Sequence, residues 1–286
     1  MTDPGEPSPK PVASQRRNWA DVGPRLASAA FLLVIVIVTL YLGSFYFSTV
    51  VGAVYAGAYR EWETMVSRAT ISIPGLALVA LVWLSGTVFP WFGILGLASA
   101  ILVAIVVAAF MDRKLLLWRA TGLALFGLLI LSHVLMRGDT MAGLWAGVFL
   151  GTVVWMTDSA AFFTGRQIGG EKLAPAISPS KTWSGALGGL ALGAGAGLIV
   201  WTLITDSPWW IGLLIAVAIS ILGQFGDLLE SAVKRRFRIK DSGDIIPGHG
   251  GLMDRLDSLT FGVILVLIIG VLHGGIDRVA EGLLYW

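Results

Sequence analysis

Long apolar stretches separated by short polar segments dominate the chain. A helix that crosses a bilayer needs about 20 mostly apolar residues, because the hydrocarbon core is about 30 Å thick. The stretches that approach this length are 26–43, 45–62, 69–87, 91–111, 115–136, 141–163, 183–204, 209–229 and 258–273. The first two are joined by a short turn at Gly43 and Ser44. The pattern therefore predicts an all-α polytopic integral membrane protein with about nine transmembrane helices.

The positions of the basic residues predict an orientation for these helices. Cytoplasmic loops of membrane proteins carry an excess of Lys and Arg. If the N-terminus is cytoplasmic, 18 of the 20 Lys and Arg residues fall on the cytoplasmic side, and only Arg137 and Arg278 fall outside. We therefore expect a multi-pass protein of the cell inner (cytoplasmic) membrane, with its N-terminus inside and its C-terminus outside.

Composition agrees with a membrane protein and divides the chain into segments. Charged residues make up 13% of the chain, against about 25% in soluble domains. Residues 1–24 are rich in Pro, Ser and charge, and the apolar run after them is longer than a signal-peptide core of about 7–15 residues. We predict a disordered cytoplasmic tail at 1–24, N-terminal transmembrane helices at 25–140, and a catalytic transmembrane region at 141–286 with cytoplasmic loops 164–182 and 230–257.

A polar stripe runs along the predicted helix that begins at 209. Its members are spaced by four, three, four and three residues, which places them on one helical face: Ser220, Gln224, Asp227, Ser231 and Lys234. Ionisable groups in a membrane helix usually face a bundle interior, a cavity or a partner. A buried packing network is the alternative interpretation.

A second intramembrane acid matches Asp227 in depth. Asp158 lies eight residues before Arg166, and Asp227 lies seven before Lys234. A rise of 1.5 Å per residue puts both carboxylates about 10–12 Å below the basic residues. The two acids are therefore predicted to share a polar cavity that opens to the cytoplasm.

The 230–257 loop combines three kinds of chemistry. Its cations suit phosphate groups: Lys234, Arg235, Arg236, Arg238 and Lys240. Its acids are hard oxygen ligands that suit Mg²⁺: Asp241, Asp244, Asp254 and Asp257. Residues 247–251 read Pro-Gly-His-Gly-Gly, a backbone that can approach a phosphate closely. A basic run alone could serve only as a topology signal, but the interleaving of acids, cations and glycines favours a site.

The 164–182 loop adds a weaker signal. Ser178 and Thr182 flank Lys181 just before a predicted helix, and a helix N-terminus offers free N–H groups to an anion. Ser-Pro is also ordinary chemistry for a helix start.

A dense set of residues lies within 27 positions: Ser231, Val233, Lys234, Arg235, Lys240, Asp241, Gly243, Ile246, Pro247, His249, Gly250, Gly251, Leu252, Asp254, Arg255, Leu256 and Asp257. With these residues the sequence resembles the phosphatidate cytidylyltransferase (CDP-diglyceride synthetase) family, whose signature they match. An upstream pattern also fits, with Asp158, Ala161, Phe162, Gly165, Arg166, Gly169, Leu173, Pro175, Ser178, Pro179, Lys181, Thr182, Trp183 and Gly185.

The resemblance implies a reaction and a set of site residues. The phosphate of phosphatidate would attack the α-phosphorus of CTP and release pyrophosphate, with Mg²⁺ as cofactor, and the protein would be a homodimer. Asp227 and Asp254 would bind the metal, with Asp158 as a further candidate. The residues implied in holding phosphates are Lys234, Arg235, Lys240 and Arg255, and Asp241, His249 and Asp257 are catalytic candidates without an assigned role. The substrate-binding candidates are Ser178, Lys181, Thr182, Ser231, Gly250 and Gly251.

Two other functions stay open at this stage. A CTP-dependent lipid-alcohol kinase would use the same nucleotide but release CDP. A membrane transporter would carry polar residues through to the outer side, whereas the intramembrane acids here cluster toward the predicted cytoplasmic half. The expected partners are CTP, phosphatidate and membrane lipid, and no nucleic acid.

Overall fold

The computed structural model describes residues 34–243, 245 and 250–286. The predicted tail, the beginning of the first predicted span, and the candidate His249 lie outside these residues. The described chain contains a first helical segment α1 at 34–42, and then α2 (Ser44–Ser67), α3 (Ile73–Thr87), α4 (Phe89–Ala109), α5 (Leu116–Arg137), α6 (Met141–Ile168), α7 (Trp183–Ile204), α8 (Trp209–Arg236), α9 (Asp257–Gly274) and α10 (Val279–Leu284). Single 3₁₀ turns lie at Arg113–Leu115 and Met253–Arg255.

The helical content and apolar surfaces are those of an all-α membrane protein. Within the described residues, six helices are long and apolar enough to cross a bilayer: α4, α5 with its preceding 3₁₀ turn, α6, α7, α8 and α9. The apolar helix α3 is shorter, at 15 residues. Helix α2 has 24 residues, but Arg60, Glu61 and Glu63 near its end make it more polar.

Most helix limits agree with the apolar pattern, and the differences have local causes. Helix α7 occupies the predicted residues, Trp183–Ile204. Helix α3 begins at Ile73 rather than at 69, because the Ser72 side chain caps it by accepting a hydrogen bond from the Gly75 N–H at 3.2 Å. Helices α6 and α8 continue past their apolar parts to Ile168 and Arg236. The short helix α10 was not predicted.

The segment between α6 and α7 is a β-hairpin, where the sequence analysis expected an irregular loop. Strands β1 (Lys172–Ala174) and β2 (Ser178–Thr182) pair antiparallel, with Lys172 opposite Thr182. The Thr182 side chain also caps α7 by accepting from the Gly185 N–H at 3.1 Å. The hairpin therefore fixes the Lys181 backbone directly before a helix.

Helices α6 and α7 pack very closely through glycines. A Cβ atom added at any of four α7 glycines would lie within 2.8 Å of an α6 atom; these are Gly185, Gly189, Gly193 and Gly197. Small residues spaced by four allow close backbone approach between membrane helices. The two helices that flank the hairpin therefore form one tightly packed pair.

Buried arginines fasten the N-terminal helices at both ends of the bundle. Arg119 of α5 donates hydrogen bonds of 2.8–3.1 Å to both carboxylate oxygens of Glu63 on α2. At the opposite end, Arg137 donates to the carbonyls of Leu40 at 2.5 Å and Tyr41 at 3.2 Å, beside the break between α1 and α2 at Gly43. We call the end with Arg119, where α2, α6 and α8 finish and α5, α7 and α9 begin, the loop end.

Candidate active site

A charged cavity of about 660 Å³ lies at the loop end. Its walls come from α6, the hairpin, α7, α8, the second 3₁₀ turn and the start of α9. Four carboxylates line it: Asp158, Asp227, Asp254 and Asp257. Four cations also line it: Arg166, Lys172, Lys181 and Arg255. Seven of the candidate residues from the sequence are thereby brought together; they are Asp158, Lys181, Thr182, Asp227, Asp254, Arg255 and Asp257.

Asp158 and Asp227 face the same cavity, as their matching depth predicted. The Asp227 carboxylate forms an ion pair with Lys181 of β2. Asp158 accepts a hydrogen bond from the Ser258 hydroxyl of α9 at 3.0 Å. Through these contacts Asp227 connects α8 to the hairpin, and Asp158 connects α6 to α9.

Asp254 is held by donors on both carboxylate oxygens. Its Oδ1 accepts from the Lys234 ammonium at 2.5 Å, and its Oδ2 accepts from the backbone N–H groups of Ser242 and Gly251 at 3.1 Å each. Burial disfavours the charged form, but the hydrogen bonds from Lys234 and Ser242 outweigh it and hold the pKa of this carboxyl below its usual range. Asp254 is therefore an ionised carboxylate in a fixed orientation.

Lys234 lies behind Asp254 and is absent from the cavity wall. Its ammonium is buried, and it also forms an ion pair with Glu230 at 3.3 Å. The polar stripe placed Lys234 on the helical face of Asp227, and in the structure Glu230 and Asp254 surround its charge. Direct phosphate binding by Lys234 stays a prediction, because its ammonium contacts Glu230 and Asp254 in the structure.

Glu61 of α2 is a residue that the sequence analysis missed. Its side chain is 2% exposed, and it accepts three hydrogen bonds of 2.9 Å, from the Ser242 hydroxyl and from the N–H groups of Leu252 and Met253. Ser242 precedes the residues 244–249, whereas Leu252 and Met253 follow them and directly precede Asp254. We call the loop between α8 and α9, which carries Asp254, the site loop. Glu61 therefore fastens the site loop to α2. An acid at the end of an apolar stretch was the available signal, but its partner cannot be read from spacing.

The remaining candidates lie around the cavity. Arg235 is exposed and donates to the carbonyls of Ile177 at 3.3 Å and Ile239 at 3.0 Å, which docks the hairpin against the end of α8. Lys240 and Asp241 are exposed. The other candidates are partly buried and do not line the cavity: Ser178, Ser231 and Gly250. Gly251 is buried and contributes its N–H to Asp254.

The donor set of the cavity fits Mg²⁺. Among the residues that the structure describes, no three His, Asp or Glu side chains lie close enough to hold a metal ion together. Mg²⁺ is nevertheless usually held by only one or two carboxylates, with water and substrate phosphates completing its coordination. Asp158 and Asp227, with Asp254 across the same cavity, supply carboxylates of that kind.

Apolar helices around a charged cavity define an integral membrane protein with a charged site at the ends of its helices. The model of the cytidylyltransferase family matches residues 24–273, so the chain belongs to that family. This finding confirms the family predicted from the signature residues.

Relatives named phosphatidate cytidylyltransferase match different lengths of the chain. The protein of Bacillus subtilis (strain 168) is 30% identical over 258 residues, which cover 84% of this chain and 94% of that protein. The protein of Staphylococcus haemolyticus (strain JCSC1435) is 34% identical over 227 residues, 74% and 85% of the two chains. The protein of Brucella suis biovar 1 (strain 1330) is 48% identical over 160 residues, and this match spans 56% of the present chain and 59% of the relative's length.

Proposed function

We propose that this chain is a phosphatidate cytidylyltransferase. A phosphate oxygen of phosphatidate attacks the α-phosphorus of CTP, and the bond from that phosphorus to the bridging oxygen of the β-phosphate breaks. The products are CDP-diacylglycerol and pyrophosphate. The family membership and the names of the relatives support this reaction.

The observation that carries the proposal is the mixture of charges in one cavity between membrane helices. Both substrates are anionic, and phosphoryl transfer depends on positioning and charge stabilisation more than on covalent chemistry. Lys181 of the hairpin and Arg255 of the second 3₁₀ turn supply positive charge to the cavity. The lipid substrate explains why the cavity lies at the ends of membrane helices.

Asp227 and Asp254 would be the main protein ligands of Mg²⁺ in this cavity, with Asp158 as a further candidate, and water and substrate phosphates would complete its coordination. The metal would offset the charge of the triphosphate and orient the pyrophosphate leaving group. The residues around them keep the acids oriented: Lys181 pairs with Asp227, Ser258 donates to Asp158, and Lys234 with two backbone N–H groups holds Asp254.

We further propose that the loop end faces the cytoplasm of a cell inner membrane, where CTP is available. The proposal includes nine spans, a cytoplasmic N-terminus and an outer C-terminus, supported by the unequal distribution of Lys and Arg. A reporter fused after Trp286 should be active only outside the cytoplasm, and one inserted near Gly243 only inside. A reversed result at either position refutes this topology. The proposed homodimer can be tested by cross-linking in the membrane.

The reaction is tested with purified full-length protein, CTP, Mg²⁺ and phosphatidate. We expect stoichiometric release of pyrophosphate and formation of CDP-diacylglycerol. Release of CDP with a lipid-alcohol acceptor would instead identify a kinase. Movement of a solute across a sealed bilayer, without consumption of CTP, would identify a transporter.

A further inference from the structure

A second pocket, in which every charged lining residue is an arginine, lies at the loop end, outside the active-site cavity. It has a volume of about 350 Å³ and is lined by Arg68, Trp118, Arg236, Phe237 and Arg238. None of these residues lines the larger cavity, and no acidic side chain lines this pocket. The end of α8 therefore has two faces, with Lys234 directed to Asp254 and the arginines at 236 and 238 directed to this pocket.

Two of the residues that line the pocket are aromatic, and their rings pack against each other. The Trp118 and Phe237 rings meet edge to face with centroids 4.9 Å apart. The Trp118 carbonyl also accepts a hydrogen bond from the Trp62 indole at 3.0 Å, which joins α5 to α2. Packed aromatic rings together with guanidinium groups suit a ligand that is partly apolar and partly anionic.

Two of the three arginines that line the pocket have a left-handed backbone conformation. Among the described residues, the non-glycine positions with positive φ are Arg68 (φ 53°) and Arg238 (φ 61°). Both follow helix C-termini, where glycine is usual because the left-handed conformation strains a residue with a Cβ atom. The helix dipole favours a cation near such an end, but it does not require that cation at the strained position. Strained residues concentrate at functional sites.

The three guanidinium groups are available for a ligand. Arg68, Arg236 and Arg238 are exposed, and within residues 34–243, 245 and 250–286 they form no side-chain hydrogen bond or ion pair. Guanidinium groups bind phosphate through paired N–H donors.

We propose that Arg68, Arg236 and Arg238 bind the phosphate group of an anionic ligand, with its apolar part over Trp118 and Phe237. The ligand phosphate belongs either to an acidic phospholipid headgroup or to a soluble phosphate. The site is separate from catalysis, because its lining shares no residue with the active-site cavity.

The test uses full-length protein in neutral phosphatidylcholine bilayers and follows the thermal unfolding temperature. Phosphatidylglycerol is titrated in one arm and inorganic phosphate in the other. A response to the lipid alone identifies a headgroup site, and a response to phosphate identifies a soluble anion. The absence of a response in both arms overturns the proposal.

The decisive variant is Arg68→Gly with Arg238→Gly. Glycine relieves both left-handed positions, so the unfolding temperature without anion should stay equal or rise. The anion response should weaken at least about tenfold in concentration, since each cation near an anionic surface contributes about a factor of five. A response equal to that of the unmodified protein overturns the proposal. The pair Arg68→Gln with Arg238→Gln gives the same comparison if the glycine variant does not fold.

A matched control separates a defined site from general attraction of anions. Arg113 and Lys114 are exposed cations of the 3₁₀ turn at the same end of the bundle. Arg113→Gln with Lys114→Gln removes the same charge and should keep the anion response. A loss equal to that of the glycine variant would show diffuse electrostatics and refute the site.

Discussion

Replacement of Glu61 by Gln should release the loop that carries Asp254. The carboxylate accepts three hydrogen bonds of 2.9 Å in a buried setting. The amide has one acceptor oxygen, so its NH₂ group must face at least one donor, and the bonds that remain lose their charge assistance. An unpaired buried donor costs about 1–3 kcal/mol, and the two weakened bonds add about 1 kcal/mol. We expect a local loss of about 3 kcal/mol, which is roughly a 100-fold larger open population of the loop.

This loss is measured by hydrogen exchange of residues 250–256, followed by mass spectrometry. Turnover of CTP is measured on the same variants. Exchange should accelerate up to about 100-fold in Glu61→Gln, and turnover should fall because Asp254 loses its fixed position. Glu63→Gln is the matched control: Glu63 is also 2% exposed, but it binds Arg119 rather than the loop. Unchanged exchange in Glu61→Gln, or equal acceleration in Glu63→Gln, would refute the reasoning.

Three further predictions concern the active-site cavity and its surroundings. Asp227→Asn and Asp254→Asn should each lower turnover by about 100-fold or more at saturating Mg²⁺, and near-normal turnover in either removes that residue from the site. Lys234→Ala should cost at least about 2 kcal/mol in kcat/KM, because it leaves Asp254 and Glu230 without their cation. The double variant Arg236→Ala with Arg238→Ala should cost under about 1 kcal/mol per residue in kcat/KM and mainly change its salt dependence. A larger loss in the double variant than in Lys234→Ala would contradict this assignment. Chelation of Mg²⁺ should stop pyrophosphate release without loss of helical circular dichroism, and an unfolding transition on chelation would indicate a structural metal instead.

The apolar pattern predicted the helices well because lipid imposes length and polarity on each one separately. Helix α7 has the predicted limits, and each acid that the polar spacing placed inside the membrane, Asp158 and Asp227, lines the same cavity. These predictions depend on periodicity within one helix. The signature also identified Asp254 and Arg255, which the structure brings to that cavity.

The contacts that depend on tertiary structure could not be predicted in this way. Glu61 and its loop donors are far apart in sequence, and a single apolar stretch that ends in charges gives no information about its partner. The partner of Lys234 could not be predicted either, because helical phase gives a face but not the carboxylate that pairs with the ammonium. The hairpin was missed since its strands are short and rich in Ser and Pro, residues that usually indicate loops.

The anchoring of the site loop by Glu61 has a consequence for biosynthesis. The donors of Ser242 and Met253 follow Glu61 by 181 and 192 residues. At about 5–20 residues per second, a ribosome needs roughly 10–40 s to reach them after Glu61 has been made. During this interval the nascent α2 carries a carboxylate whose permanent donors do not yet exist, at a place where an unpaired charge is costly. Release of α2 from the insertion machinery into lipid should therefore be delayed until the last sixth of the chain emerges. Truncation before residue 242 should leave that helix as a substrate for membrane proteases.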